Sequence, residues 1–504
     1  MLRCDSGNER YGALEGKRVH TEILVIGGGL IGCAVARELS RLAVDITLIE
    51  RTEDVAEGAS KANSGIVHAG FDAKPGSLKA KYNVEGNRRF AAYCQEVHAP
   101  YVPSGAMVLA FDQEQRQHLE SLLSQGIQNG VEGLRIIENA EILALEPNTN
   151  PAVQCALLAP SSGLASPYEL TCALADHAAV NGVRFLFDTQ AIRLQKRENG
   201  FLVTTNHGEI TATILVNCAG LFSAELHNQI STHKLSIMPR KGEYYLLDHE
   251  EKPVFSRTMF QTPTKMGKGV LVSPTGHKTM LLGPTAQQVE DALDVATTAE
   301  ALASIREKAA MTWPHMSLRT NITTFAGIRA HEAGDDFIVG ATMDAPGAYE
   351  AIGIESPGLT AAPAIANALY TQIAQEHSYA CKQAWKPAPD LPKAFSAMNL
   401  EERAQAYARD PAYGNIVCRC EQVTEAEIRS AIHRPVGARH VDGIKRRTRA
   451  GMGRCQGGFC SPRVMEILAE ELQIPMLEIT KFGGQSRMLT DSLNPSIKED
   501  KGHV

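Results

Sequence analysis

No apolar run in the sequence approaches the ~20 residues that a membrane-crossing helix needs, so no transmembrane segment is expected. The first twenty residues, MLRCDSGNERYGALEGKRVH, carry charges throughout and lack the apolar stretch of a secretory signal; residues 1–19 read as a disordered extension. Cysteine is too scarce for a disulfide framework, with eleven in 504 residues. Seven of them (Cys4, Cys33, Cys94, Cys155, Cys172, Cys218 and Cys381) are scattered, mostly among small or apolar neighbours, which fits a reducing, cytoplasmic setting. A net charge of −7 is too weak a bias to point to nucleic acid or a membrane surface. What remains is an ordinary globular composition, long enough for about three folding units of ~150 residues and a large core.

Between Thr21 and Arg51 the pattern is strand, glycine turn, helix, strand: TEILVI, GGGLIG, CAVARELSRLA, VDITLIE. Gly27, Gly29 and Gly32 form G-x-G-x-x-G between the strand and the helix. The first glycine allows the tight turn, the second lets backbone approach a pyrophosphate, and the third lets the helix pack on the strand. Glu50 ends the second strand, where a carboxylate accepts ribose hydroxyls. Strand, helix and acid in register predict a dinucleotide site. Residues 377–412, with CKQAWKPAPDLPKAF, read as an extended linker, residues 413–476 as a compact cysteine-bearing domain, and residues 484–504 as a mobile tail.

The glycine motif alone does not separate NAD from FAD. Other segments bear on the choice: the small-residue run VAEGASKANSGIVHAGFDAKPG after Glu50, the strand end ILVNCAG, and GIESPGLTAAPAIANALY, whose helix N-terminus suits the anionic side of a reduced flavin. Here the sequence resembles the D-amino-acid-oxidase-type flavoproteins, and within them the glycerol-3-phosphate dehydrogenase/oxidase and L-2-hydroxyglutarate dehydrogenase branch. The resemblance covers about residues 20–376. It rests on Gly27–Gly32 with Glu50, Gly58-Ala59-Ser60, Asn63-Ser64-Gly65, His68-Ala69-Gly70, Lys241 to Tyr245, Gly283-Pro284-Thr285, Gly327-Ile328-Arg329 and Ser356 to Leu359. Ala330 departs from it, since the family often has proline after the arginine.

The resemblance implies an α/β fold with an α+β substrate region: a Rossmann-like FAD-binding domain (about 20–82, 165–230 and 320–376) interleaved with an antiparallel-sheet substrate domain (about 83–164 and 231–319). It implies FAD contacts from Gly27, Gly29, Gly32, Glu50, Ser60, Asn63, Ser64, Gly65, Ala219, Gly220, Gly327, Gly358, Leu359 and Thr360. It also implies that His68 lies near the flavin and Arg329 faces the substrate anion. A histidine of near-neutral pKa suits the base that takes a hydroxyl proton, and an arginine fork suits a phosphate or carboxylate. Taken alone, His68 reads as a structural hydrogen-bonder and Arg329 as a surface ion pair with Asp335 or Asp336. Lys241 and Tyr244 begin a strand that is a further candidate lining of the pocket.

Cys418 and Cys420 form C-x-C, and Cys455 and Cys460 form C-x4-C. Two close pairs in a reducing compartment read as a metal site, with iron–sulfur, zinc and a bare scaffold as the alternatives. The stretches IVCRCEQVTEAEIRSAI and KRRTRAGMGRCQGGFCSPRV resemble the bacterioferritin-associated-ferredoxin-like module at the C-terminus of anaerobic glycerol-3-phosphate dehydrogenase A subunits. That resemblance implies a small helical domain holding a 2Fe–2S cluster on the four cysteines. Thr424 with Glu427 is a capping box, and Ser461-Pro462 reads as N-cap and first helical residue. Between Arg434 and Arg463 there are eight Lys/Arg and one acid, Asp442, which suits either a solvated basic face, neutralisation of a cluster, or docking of an acidic partner.

The expected function is therefore an FAD-dependent dehydrogenase of sn-glycerol 3-phosphate giving dihydroxyacetone phosphate. The cluster would relay electrons to a partner flavoprotein, a ferredoxin or a quinone-linked membrane subunit, with the protein cytoplasmic or peripheral to the membrane through that partner. Oxidation of L-2-hydroxyglutarate, of another 2-hydroxyacid or of an amino acid is the alternative, and a redox sensor a more distant one. No nucleic acid partner is expected.

Overall fold

The computed structural model describes residues 18–249, 254–262 and 269–491. Two compact units are present: Val55–Pro389 with the residues up to Arg51, and Thr52–Asp54 with the residues from Asp390 onward. Among the described residues no helix is long and apolar enough to cross a membrane.

Beside a small three-stranded sheet of Ile66–Val67, Gly163–Ala165 and Tyr101–Val102, the first unit is built on two large sheets that the chain visits in alternation. In one, strand Arg18–Ile26 lies parallel to Ile46–Ile49 on one side and to Glu209–Asn217 on the other, and Arg184–Leu186 extends the parallel order. Ile23, Leu24, Val25 and Ile26 are all buried, as a strand covered on both faces requires. The far edge of Glu209–Asn217 is shared. Gly200–Thr205 pairs antiparallel with its first half and Ala348–Ile352 parallel with its second. Helices Leu30–Leu39, Pro167–Val180 and Gly358–Glu376 pack together. Helix Leu78–Glu96 crosses the last of these so closely that a Cβ on Gly86 would stand 2.0 Å from the Thr360 carbonyl oxygen.

The second sheet carries strands Ala106–Ala110, Cys155–Ala159, Ile237–Leu247, Leu271–Pro274, Met280–Gly283 and Asn321–Glu332, antiparallel apart from Thr258–Gln261 beside Ala106–Ala110. Its apolar face packs on helix Ala299–Thr312 around Met107, Leu247, Phe255, Met259 and Ile305. The expected interleaved α/β architecture is present, with one reassignment. Asn321–Glu332, expected in the nucleotide domain, pairs along its length with Ile237–Leu247 and belongs to the second sheet.

The stretch expected to be a linker is ordered on both sides of its middle. Trp385 donates to Ser40 Oγ at 2.9 Å and stacks under Arg41, 3.6 Å from its guanidinium carbon, which fastens residues 380–386 to the first unit. Leu400–Arg409 is a helix opened by an Asn399/Glu402 capping box, and it belongs to the second unit. The rest of the second unit is a short hairpin, Ile416–Cys418 with Val423–Thr424, and helices Glu425–Ile432, Val441–Thr448 and Ser461–Leu472 around Ile428, Ile444, Ile467 and Leu468. Met488 donates back to the Ile479 carbonyl at 3.2 Å, so ordered structure runs past residue 484; residues 1–17 and 492–504 lie outside the described ones.

Candidate active site

The turn after Arg18–Ile26 shows why its glycines differ. Gly27 has φ +111°, and a Cβ there would meet the Cys218 carbonyl oxygen at 2.5 Å. A Cβ on Gly32 would stand 1.9 Å from the Gly27 carbonyl oxygen, because the helix presses on the turn. Gly29 has no such backbone contact: the nearest atom to its Cβ position is Ser60 Oγ at 3.3 Å, and the space in front is where a pyrophosphate would approach. Glu50 Oε2 accepts the Gly28 N–H at 2.6 Å and Ser60 Oγ accepts the Leu30 N–H at 2.8 Å. Among the described residues no acceptor meets the N–H groups of Ile31 and Gly32, so the positive helix end faces the opening. Gly220 follows the adjoining strand with φ +56° and nothing within 4 Å of its Cβ position. An open cradle, unpartnered N–H donors and a carboxylate beside them fit the diphosphate and ribose of FAD.

A cavity of about 320 Å³ adjoins this turn. Ser60, Asn63 and Ser64 line it from one loop, Tyr244, Gly327 and Arg329 from the second sheet, and Gly358 and Leu359 from a helix N-terminus. Asn63 also ties its own loop, accepting from the Gly65 N–H at 2.8 Å and donating to the carbonyls of Ala59 and Ser60. Gly65 has φ +68° and could carry no Cβ, which would lie 2.5 Å from the Ala165 carbonyl oxygen. Thr360, expected among the cofactor contacts, is buried, and its Oγ1 accepts the His68 backbone N–H at 2.8 Å. Its hydroxyl positions the histidine.

The structure brings His68, Arg329 and Tyr244 to one cavity. Burial pushes the His68 imidazole below its ordinary value of 6.5, with Asp72 opposing, so the ring is neutral at physiological pH. Its Nε2 faces Ser356 Oγ at 3.4 Å. Arg329 donates through Nη2 to the Thr285 carbonyl at 3.1 Å and makes no ion pair among the described residues. The alternative partners are engaged elsewhere: Asp335 meets Lys79 at 3.2 Å, and Asp336 accepts the N–H groups of Leu78 and Lys79 at 2.9 Å. Tyr244 stacks on Phe325 with ring centroids 4.8 Å apart.

Lys241 is a correction. Its ammonium is buried against Asp294 at 2.7 Å and the Ala296 carbonyl at 3.0 Å, away from the cavity. Alternation along the strand explains the difference: Arg240, Gly242 and Tyr244 share one face, and Lys241 and Glu243 the other.

A larger cavity, about 930 Å³, shares His68, Arg329, Glu355 and Ser356 with the smaller one. At its wall Glu355 receives Lys79 at 3.0 Å and His331 Nδ1 at 2.7 Å, which anchors the segment carrying Ser356. The sequence names Ser356 only within a family motif and does not single out Phe260 or Arg240. Strand parity with Tyr244 was the available signal for Arg240; none marked Phe260.

In the second unit the four cysteine sulfurs form two pairs. Cys420 and Cys455 stand 3.8 Å apart, and Cys418 is hydrogen-bonded to Cys460. Among the described residues no three of the four sulfurs lie within 4.8 Å of one another. One tetrahedral zinc at ~2.3 Å from each sulfur would bring all four to about 3.8 Å, so the two-pair arrangement suits two metal ions better. The Cys418 thiol is held down at about 6 by Cys460, against burial and with help from the N–H groups of Gly451 and Glu421. Cys455 is lowered first by the Phe459 N–H, against burial and with help from Cys420 and the Gly457 N–H. Such N–H donors suit the anionic sulfurs of a 2Fe–2S cluster. The Thr424/Glu427 capping box is formed, while the last helix takes Cys460 itself as N-cap, one residue earlier than expected. Much of the basic run is spent locally: Arg446 and Arg447 meet Asp54 at 2.7 and 2.6 Å, and Arg449 meets Glu421 at 2.7 Å.

The family described as FAD dependent oxidoreductase matches residues 22–371. The chain belongs to this FAD-dependent oxidoreductase family. In this flavoenzyme the BFD-like 2Fe–2S binding domain matches residues 416–470, which include all four cysteines. The flavoenzyme is 44% identical to a glycerol 3-phosphate dehydrogenase of Caloramator mitchellensis, over 95% of this chain and all of that one. An L-2-hydroxyglutarate dehydrogenase of Indibacter alkaliphilus is 30% identical over 48% of this chain and 61% of its own length. Among solved structures, dithionite-reduced L-alpha-glycerophosphate oxidase from Mycoplasma pneumoniae with FAD bound aligns at a TM-score of 0.70 and 30% identity, covering 74% of this chain and 99% of that one.

Proposed function

We propose that this FAD-dependent oxidoreductase oxidises sn-glycerol 3-phosphate to dihydroxyacetone phosphate and sends the electrons through its 2Fe–2S centre to a partner protein. The observation that carries the reading is the likeness to the Caloramator glycerol 3-phosphate dehydrogenase, which spans both the flavin unit and the cysteine unit. Two features of the cavity support it. Arg329, held at one edge by the Thr285 carbonyl and without an ion pair among the described residues, offers the rest of its planar fork to the substrate anion and so orients the alcohol carbon. His68, kept neutral by burial, takes the hydroxyl proton as the carbon becomes a carbonyl. FAD, when bound, supplies the two-electron acceptor for the hydride that leaves the same carbon.

Electron exit through the second unit is supported by exposure. Cys420 lies at the surface, and Phe459, between the cluster cysteines Cys455 and Cys460, is 88% exposed. The partner is an electron-carrying protein, either soluble or membrane-bound, that covers this face. Steady-state turnover with an artificial acceptor tests the substrate. Glycerol 3-phosphate is expected to give turnover and L-2-hydroxyglutarate little; the reverse result would reassign the substrate, and near-zero turnover with both would favour a sensor.

A further inference from the structure

Arg240 and Arg329 are direct cross-strand partners in the antiparallel pairing of Ile237–Leu247 with Asn321–Glu332. Directly opposed residues point to the same face, and here both side chains line the larger cavity. Like charges in this position destabilise a sheet unless an opposite charge joins them. No carboxylate pairs directly with either guanidinium among the described residues: of the acids lining the cavity, Asp335 lies within Arg240's field but is held by Lys79 at 3.2 Å, Asp336 accepts the N–H groups of Leu78 and Lys79, Glu355 is engaged by Lys79 and His331, and Asp72 acts on His68. Between the two strands' arginines the sequence also makes room. Gly242 lies on the same face, and a Cβ there would come within 2.4 Å of Arg329 Nη2, so the fork of Arg329 lies flat over the glycine. Thr285 fixes one edge of that fork through its carbonyl, leaving the other edge for a ligand.

We infer that Arg240 and Arg329 form a two-arginine clamp for a doubly charged phosphomonoester, with Arg240 the residue that selects a dianion over a singly charged substrate. This rests on the glycerol 3-phosphate reading and deepens it. A carboxylate carries one negative charge and needs one fork, whereas a phosphomonoester above pH ~6 carries two and has three oxygens to share between two forks. The second arginine thus accounts for a preference for a doubly charged phosphate group over a singly charged one that Arg329 alone would not give. Arg240 is a specificity residue that acts on binding, since it lines the larger cavity with Arg329 and not the smaller one beside the nucleotide turn.

The test uses the FAD-loaded full-length protein and two non-oxidisable probes of the same shape, methyl phosphate and methyl sulfate, which differ by one charge at about pH 8. Calorimetric titration of the unsubstituted protein is expected to show methyl phosphate binding at least about tenfold tighter. Arg240→Gln should bring the two probes to within about threefold of each other and raise KM for glycerol 3-phosphate at least about tenfold, with kcat changed far less. Arg240→Lys keeps the charge without the fork and should lose about threefold of the preference, which decides the matter if the glutamine variant does not fold. An undiminished preference in either folded variant, or no binding of methyl phosphate by the unsubstituted protein, would overturn the clamp. If methyl phosphate binds as expected and the variants lose the preference, yet glycerol 3-phosphate is not oxidised, the clamp stands and the proposed reaction falls.

Discussion

The backbone N–H of His68 donates to Thr360 Oγ1 at 2.8 Å, joining two residues 292 apart in the chain. The loop bearing the proposed base is thereby fixed to the first turn of helix Gly358–Glu376, whose N-terminus lines the same cavity. Thr360→Val preserves the shape and removes the acceptor. The buried N–H left behind should cost about 1–3 kcal/mol of stability, read by urea unfolding. Loss of the loop's anchor should lower kcat/KM on the order of tenfold, and Thr360→Ser should restore most of both.

The neutral state of His68 has a consequence for pH dependence. Burial favours the uncharged ring, so its pKa lies below 6.5 and the base is competent above that pKa and lost as pH falls through it. The acid limb of kcat/KM is expected to inflect below 6.5. His68→Asn should remove the limb and reduce turnover about 10²-fold or more. An inflection well above 6.5 would assign the proton to another group.

Two glycines of one motif should respond oppositely to the same substitution. Gly32→Ala forces a Cβ to 1.9 Å from a carbonyl oxygen and should destabilise the fold by several kcal/mol, on the order of 3. Gly29→Ala meets only Ser60 Oγ at 3.3 Å, so the protein should fold but hold FAD at least about tenfold less tightly. Circular dichroism and the flavin content of the purified variants separate the two outcomes.

Lys241→Met tests the reassignment of that residue. Its ammonium, paired with Asp294 and 3.9 Å from buried Glu243, should contribute to stability and not to substrate binding. A loss of about 3 kcal/mol with KM unchanged is the expected result; a raised KM without destabilisation would return Lys241 to the pocket.

These residues also show where the sequence was readable. The glycine spacing, Glu50 and the cysteine pairs carry their chemistry in local patterns, and local patterns survive folding intact. Arg329 and His68 were reached through family motifs, and the cavity that joins them depends on strands far apart in sequence. The choice between Arg240 and Lys241 was available from period-two alternation once Tyr244 was placed on the cavity face. Asn399 and Glu402 likewise spelled a capping box, which the surrounding prolines obscured. Assignment of Asn321–Glu332 to the second sheet had no local signal, because its twelve residues are fixed by pairing with a strand some eighty positions earlier.

On the proposed function, one polypeptide takes electrons from glycerol 3-phosphate onto FAD and holds a thiolate-bound 2Fe–2S cluster to receive them. Anaerobic titration of the purified holoprotein with sn-glycerol 3-phosphate tests it most directly, following the flavin absorbance and the electron paramagnetic resonance of a reduced cluster in the same sample. The flavin band is expected to bleach together with the appearance of a cluster signal that Cys420→Ser abolishes. Flavin that stays oxidised under glycerol 3-phosphate and bleaches under L-2-hydroxyglutarate would contradict it.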